Sequence, residues 1–250
     1  MPDASLLLTF VVAGMAAGFV SGLAGVGGGI ILTPVLHYVL GYTWGDAVAL
    51  SLFVIAAQSP LGIWRHRRKG AVSWRMAGPL VAGGAGGVLI GAWLEPRIGV
   101  PWLKLTFALL MLAAARQLYR DRKPPRPDGG GHLPVAAALA VGLGAGIISR
   151  LLGIGGGLVT VPILALAGVP AHLAVGSSLV PVWSNAAVAS LGNAGRDLDW
   201  LGGLVMAAAA MAGSWAGVAA AHRLPERGLR LVFAAGLVLM ALYIAVTTTP

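Results

Sequence analysis

Apolar residues run through this chain in blocks, and the blocks come in two sizes. Residues 5–23, 46–64, 76–94, 134–152, 171–191, 200–220 and 229–246 each predict a membrane-spanning helix, because about 20 residues at ~1.5 Å rise cover a ~30 Å hydrocarbon layer. Residues 105–118 predict a shorter crossing. Residues 30–40 and 158–167 reach only about half that depth, so each predicts either a broken span or one leg of a re-entrant hairpin. Helix is the element predicted in every block, and the fold class is an all-α polytopic membrane protein. Residues 95–104, with Pro96 and Pro101, read as a short turn of mixed charge. Residues 120–133 include Pro124-Pro125-Arg126-Pro127-Asp128-Gly129-Gly130-Gly131, the one linker-like composition in the chain. They divide it into a first membrane repeat, 1–119, a cytoplasmic linker, and a second membrane repeat, 134–250, which together make one transport domain.

Both short blocks follow a glycine cluster. Gly25-Val26-Gly27-Gly28-Gly29 precedes the first and Gly153-Ile154-Gly155-Gly156-Gly157 the second, displaced by 128 positions, with Pro34 and Pro162 each five residues after the last glycine. Leu103-Lys104-Leu105-Thr106-Phe107-Ala108 likewise matches Leu229-Arg230-Leu231-Val232-Phe233-Ala234 at a displacement of 126. A register held along whole halves predicts a tandem duplication of about five helical segments. An interior glycine costs a helix about 0.5–1 kcal/mol relative to alanine. Clustered glycines therefore predict a break in each half, with Pro34 and Pro162 as helix-breaking residues. Gly83, Gly87 and Gly91, and Gly213 and Gly217 in the second half, predict small-residue faces for close helix packing.

Composition agrees and charge adds direction. Hydrophobic residues make up 58% and charged residues only 10%, against roughly 25% charged in a soluble domain. There is no cysteine, which excludes disulfides and thiol chemistry. The net charge of +9 does not mark a nucleic-acid binder, because the basic residues lie between apolar blocks. They are Arg65, Arg67, Arg68, Lys69 and Arg75; Arg116, Arg120, Arg122, Lys123 and Arg126; and Arg223, Arg227 and Arg230. Placing all three groups on the cytoplasmic side requires an odd number of crossings per half. The halves are then inverted relative to one another, the 192–199 loop lies opposite, and both termini lie outside. The first block reads as a retained helix and not as a signal peptide.

A helix that begins inside a bilayer exposes N–H groups and the positive end of its dipole, and such donors need water, another helix or an anion. Inverted halves bring two of these ends together, a small doubly positive pocket built from Gly25, Gly27, Gly28 and Gly29 with Gly153, Gly155, Gly156 and Gly157. Tight helix crossing alone is the competing explanation for the glycines. Other polar residues within spans are few. Ser51 and Gln58 fall opposite Ser178 and Asn185 at a displacement of 127, as uncharged donors for an oxyanion or as plain interhelical bonds. Arg150, three residues before the second cluster, is a site candidate or snorkels to the interface. Asp46 reads as a helix N-cap, His37 and His172 as interfacial or proton-carrying, and Trp44, Trp74, Trp93, Trp102 and Trp200 as interfacial anchors. No carboxylate pair, metal-ligand set, nucleophile triad or Walker A sequence lies in the spans, so the reading is of a non-enzyme that calls for no cofactor.

The doubled Gly-x-Gly-Gly-Gly with its following proline, together with Ser177-Ser178 and the placement of Trp74 and Trp200, resembles the TauE/SafE family of membrane permeases, the sulfite exporters. The resemblance covers essentially the whole chain. It implies a bacterial inner-membrane transporter of a sulfur-containing anion, such as sulfite or a small organosulfonate, with Ser177 and Ser178 in the site. Two positions depart from internal symmetry: Arg150 stands where the first half has Gly22, and Leu50-Ser51 where the second has Ser177-Ser178. The expected partners are a small anionic substrate and membrane lipid, without nucleic acid, and a homo-oligomer is left open. A passive anion channel of the same architecture and a non-transporting assembly subunit are the alternatives.

Overall fold

The structure, a computed structural model, describes residues 4–24, 27–119, 133–220 and 226–248. Gly25, nearly all of the linker, and the cationic residues Arg120, Arg122, Lys123, Arg126 and Arg223 lie outside the described residues. Among the described residues the secondary structure is helical throughout: α1 (Ala4–Ala24), α2 (Gly29–Pro34), α3 (Trp44–Arg68), α4 (Trp74–Leu94), α5 (Val100–Tyr119), α6 (Val135–Leu152), α7 (Gly157–Leu166), α8 (Ala171–Gly192), α9 (Trp200–Ala220) and α10 (Glu226–Thr247). Six of these are long and apolar enough to cross a membrane. The turn expected at 95–104 is shorter than the sequence suggests. A 3-10 turn, Glu95–Arg97, ends α4, and α5 already begins at Val100, since Pro101 is tolerated in a first helical turn where no N–H is required.

The glycines break the chain, and the prolines do not. α7 passes straight through Pro162, and α2 passes Pro34 into a π turn, Val35–Val39, closed by the Leu40 N–H donating to the Val35 carbonyl. A proline this close to a helix start removes a single interior hydrogen bond, which a tightly packed helix tolerates. The glycines instead supply left-handed backbone that L side chains avoid. Gly28 (φ 74°) and Gly156 (φ 83°) are the N-caps of α2 and α7. After its break each short helix returns along its predecessor. Gly28 lies beside Ala17 and Gly156 beside Ala145, and Leu32 of α2 and Leu36 of the π turn pack with Phe10, Ala13 and Ala17 of α1.

Packing follows the internal repeat. α1 lies along α9 as α4 lies along α6, with backbones in direct contact. A Cβ on Gly14 or Gly18 would run into the carbonyls of Met206 and Ala210, and one on Gly142 or Gly146 into those of Leu80 and Gly84. The expected small-residue faces close the same crossings from the other side, Gly83 and Gly87 on the carbonyls of Leu139 and Leu143, Gly213 and Gly217 on those of Met15 and Phe19. These partners come from opposite sequence halves, so the packing bodies are not the halves. One body holds α1, α2, α3 and α9 around Phe10, Leu36, Leu50 and Met206. Its image holds α4, α6, α7 and α8 and contains the Met76, Leu80 and Leu164 cluster. The bodies meet at α3 and α8, beside a third cluster that includes Ile55, Val182, Ala186 and Phe107 and is flanked by the paired α5 and α10. Along that seam Gly62 faces Leu179 and His66 faces Gly176, so α3 and its image run in opposite directions, which is compatible with inverted halves.

Candidate functional site

The two breaks meet at the middle of the α3–α8 seam. A Cβ on Gly27 would stand 3.1 Å from Val182 Cγ1, and one on Gly155 would stand 2.9 Å from the same atom. Ile55, the image of Val182, borders both. Gly29 lies directly on the Gly153 carbonyl. The glycines expected to form the pocket, Gly27, Gly28, Gly29, Gly153, Gly155, Gly156 and Gly157, are thus all buried around this seam, but the two breaks touch, Gly29 on Gly153 and Gly27 beside Ile154. The expected space for an anion between the two helix ends is closed in this conformation. To one side lies a small cavity of about 10 Å³ lined by Ser21, Gly22, Gln58, Ser59, Gly62, His66, Leu179 and Ser214. That holds about one water. It lies toward the end of α3 that carries Arg65, Arg67 and Arg68.

Side chains fasten the breaks to α3. Ser51 Oγ donates to the carbonyl of Gly153 at 2.9 Å and receives Thr33 Oγ1 at 3.0 Å, which satisfies the backbone where α6 stops. Gln58 Nε2 donates to the Gly27 carbonyl at 3.2 Å, while Gln58 Oε1 is buried without a partner among the described residues. Asn185, the image of Gln58, lies against Gly84 with both ends of its amide unpartnered. The described bonds of the other expected site residues lie away from the junction. Ser178 bonds back to its own helix at Val175, and Ser177 Oγ accepts the Ser73 N–H at 2.9 Å, tying α8 to the turn before α4. Arg150 is buried at 8% exposure and does not snorkel. It pairs with Glu95 at 2.7 Å and donates to Asn193 Oδ1 at 3.0 Å.

Charged side chains fasten the 192–199 end. Arg196 bridges to Asp46 at 2.9 Å, and the Tyr42 hydroxyl donates to Asp199 at 3.1 Å. Burial and the Asp199 carboxylate push the Tyr42 phenol up to about 12. Asp46 is not the cap of α3. Thr43 is, accepting the Asp46 N–H while its hydroxyl donates to the Asp46 carboxylate at 2.6 Å. Trp44 is no interfacial anchor either, since it is 4% exposed and packs edge-on against His37 and Phe107. Trp74, Trp93 and Trp102 are exposed as anchors are. His37 is engaged by the Tyr42 carbonyl at 2.7 Å, and His172 is exposed. Reading the sequence alone passed over Ser21, His66, Thr33, Glu95, Asn193 and Ser214. The displacement of 127 that pairs Gln58 with Asn185 also pairs His66 with Asn193, and following it further would have found both.

A bilayer-spanning helical bundle with a doubled, glycine-broken core and no metal-binding cluster among the described residues has the form of a membrane transporter. Residues 10–244 match the family model of the sulfite exporter TauE/SafE, and the chain belongs to that family. It is similar to two probable membrane transporter proteins of Xylella fastidiosa. One, from strain Temecula1, is 32% identical over 96% of this chain and 95% of the relative; the other, from strain 9a5c, is 34% identical over 78% and 77%. A probable membrane transporter protein of Methanocaldococcus jannaschii is 29% identical over 70% of this chain and 67% of its own. No solved structure matches the chain. The protein is a multi-pass membrane transporter.

Proposed function

We propose that the protein is a secondary transporter that carries a small sulfur-containing anion, such as sulfite or an organosulfonate, across the bacterial inner membrane by alternating access. The observation that carries this reading is that two glycine breaks from opposite halves, each with a left-handed cap, meet on one seam whose helices also carry the buried, incompletely bonded amides of Gln58 and Asn185. Two half-helix N-termini directed at one place favour an anion there once the seam opens. The halves are inverted, with both termini periplasmic and the basic ends cytoplasmic. Residues 1–119 and 134–250 do not rock as units, because that would separate the backbone contacts of α1 with α9 and of α4 with α6. The moving bodies are the two mixed bundles, and they pivot along α3 and α8. In this conformation the 192–199 end is closed by Asp46–Arg196 and Tyr42–Asp199, and the junction is shut.

Sealed vesicles carrying the purified protein should accumulate sulfite above its electrochemical equilibrium when an ion gradient is imposed. Gln58→Leu and Asn185→Leu should each lower that flux by about tenfold while leaving the protein folded, comparable to loss of one oriented hydrogen bond to a charged group. Flux that never exceeds equilibrium would establish a channel instead. No flux and no thermal stabilisation by sulfite, sulfate, thiosulfate, sulfoacetate or taurine would sink the anion reading.

A further inference from the structure

The repeat places image residues at equivalent points of the fold, so a difference between images shows what each end has become. The small cavity takes Ser21, Gly22, Gln58, Gly62, His66 and Ser214 from its walls. Their images are Ser149, Arg150, Asn185, Ala189, Asn193 and Val88. All six images are buried, and the place left open by Gly22 is filled by the Arg150 side chain. The surroundings of Arg150 are rich in donors and poor in acceptors. Its guanidinium has the Glu95 carboxylate and Asn193 Oδ1, while Ser149 Oγ and Asn193 Nδ2 are buried without a partner among the described residues. A buried guanidinium bonded to an amide whose own N–H has no acceptor among the described residues is a donor set that an oxyanion satisfies. That carboxylate reaches in from the 3-10 turn after α4, and at 23% side-chain exposure it lies nearer the surface than Arg150 at 10%.

We propose that Arg150 and Asn193 form a second oxyanion station, at the 192–199 end, and that the Glu95 carboxylate holds the place of the transported anion in this conformation. The inference rests on the transporter reading and adds to it a site and a competitor: the anion reaches Arg150 as Glu95 leaves. Glu95 thereby sets the affinity at that end, and it excludes anions when the transporter is closed there.

The test uses the purified full chain in detergent, with sodium sulfite and sodium sulfate as probes and the anion concentration that gives half of the maximal Tm shift as readout. Glu95→Gln should lower that concentration by about tenfold, a coupling of ordinary size. Adding Arg150→Gln to it should abolish the gain. Arg150→Lys, which keeps the charge and so is the safer variant for folding, should raise the concentration several-fold (~5-fold). A Glu95→Gln protein with a lower Tm and an unchanged anion dependence would make the pair structural only and overturn the station, as would an unchanged dependence in Arg150→Lys. Failure of the station is distinguishable from failure of the transporter reading. Flux sensitive to Gln58→Leu with no anion effect at positions 95 or 150 removes the station alone, whereas an anion effect at 95 without flux under any gradient keeps the station and removes transport.

Discussion

Glycine has three separate uses here, and each is visible at particular residues. Gly28 and Gly156 provide left-handed caps; Gly27, Gly29 and Gly155 let two chain breaks touch; Gly14, Gly18, Gly87 and Gly213 let helices meet backbone to backbone. The last use gives a clean measurement. At Gly18 an added methyl would run into the Ala210 carbonyl, whereas at Gly86 it would meet nothing within 4 Å. Gly18→Ala should lower stability by about 1–3 kcal/mol through forced backbone displacement. Gly86→Ala, which also relieves glycine's helix cost, should be neutral or slightly stabilising, within about 1 kcal/mol. Thermal unfolding of both proteins in the same detergent checks this, and equal losses would mean that the α1–α9 crossing is looser than described.

The two half-helices are stabilised by what surrounds them more than by their own residues. Six and ten residues are too few for an independently stable helix. α2 stands because Leu32 and Leu36 are fully buried against α1, and because Thr33 and Ser51 bond the end of α6 at the junction. Ser51→Ala removes the donor to the Gly153 carbonyl and the acceptor of Thr33 at a fully buried position, so a loss of about 1–3 kcal/mol is expected. Ser178→Ala should cost less, because its described bond is a local one to Val175. A melting comparison of these two image residues checks the asymmetry. If they fall equally, the Ser51 network does not hold the junction.

The molecule as a whole is two image bundles clasped along α3 and α8, closed at one end by ion pairs and carrying cationic residues at the other. Arg65 and Arg68 at that second end stack on Trp215 and Trp64 at 4.0 Å, as expected where spans leave the hydrocarbon. The proposed orientation can be tested because the chain has no cysteine of its own. A cysteine introduced at the exposed Asp197 should react with an impermeant maleimide on intact spheroplasts, and one at the exposed Arg68 only after permeabilisation. Reaction of both from the same side would overturn the inverted arrangement.

The sequence by itself determined the helical membrane class, the bounds of nearly every helix, the doubling and the positions of the breaks. Those follow from local properties: hydropathy block length, glycine clusters and a fixed displacement. It also singled out Gln58, Asn185 and Ser51, which the structure buries, though not what each would bond. Only the tertiary structure decided that elements of opposite halves pack into common bodies, that the junction is shut, and that Arg150 answers Glu95 and Asn193. These depend on contacts between residues far apart in the chain, such as Arg150 with Asn193, 43 positions away, and Gly14 with Met206, 192 positions away. No window of sequence contains both partners of such a contact, so the physics that pairs them acts only after the chain has folded.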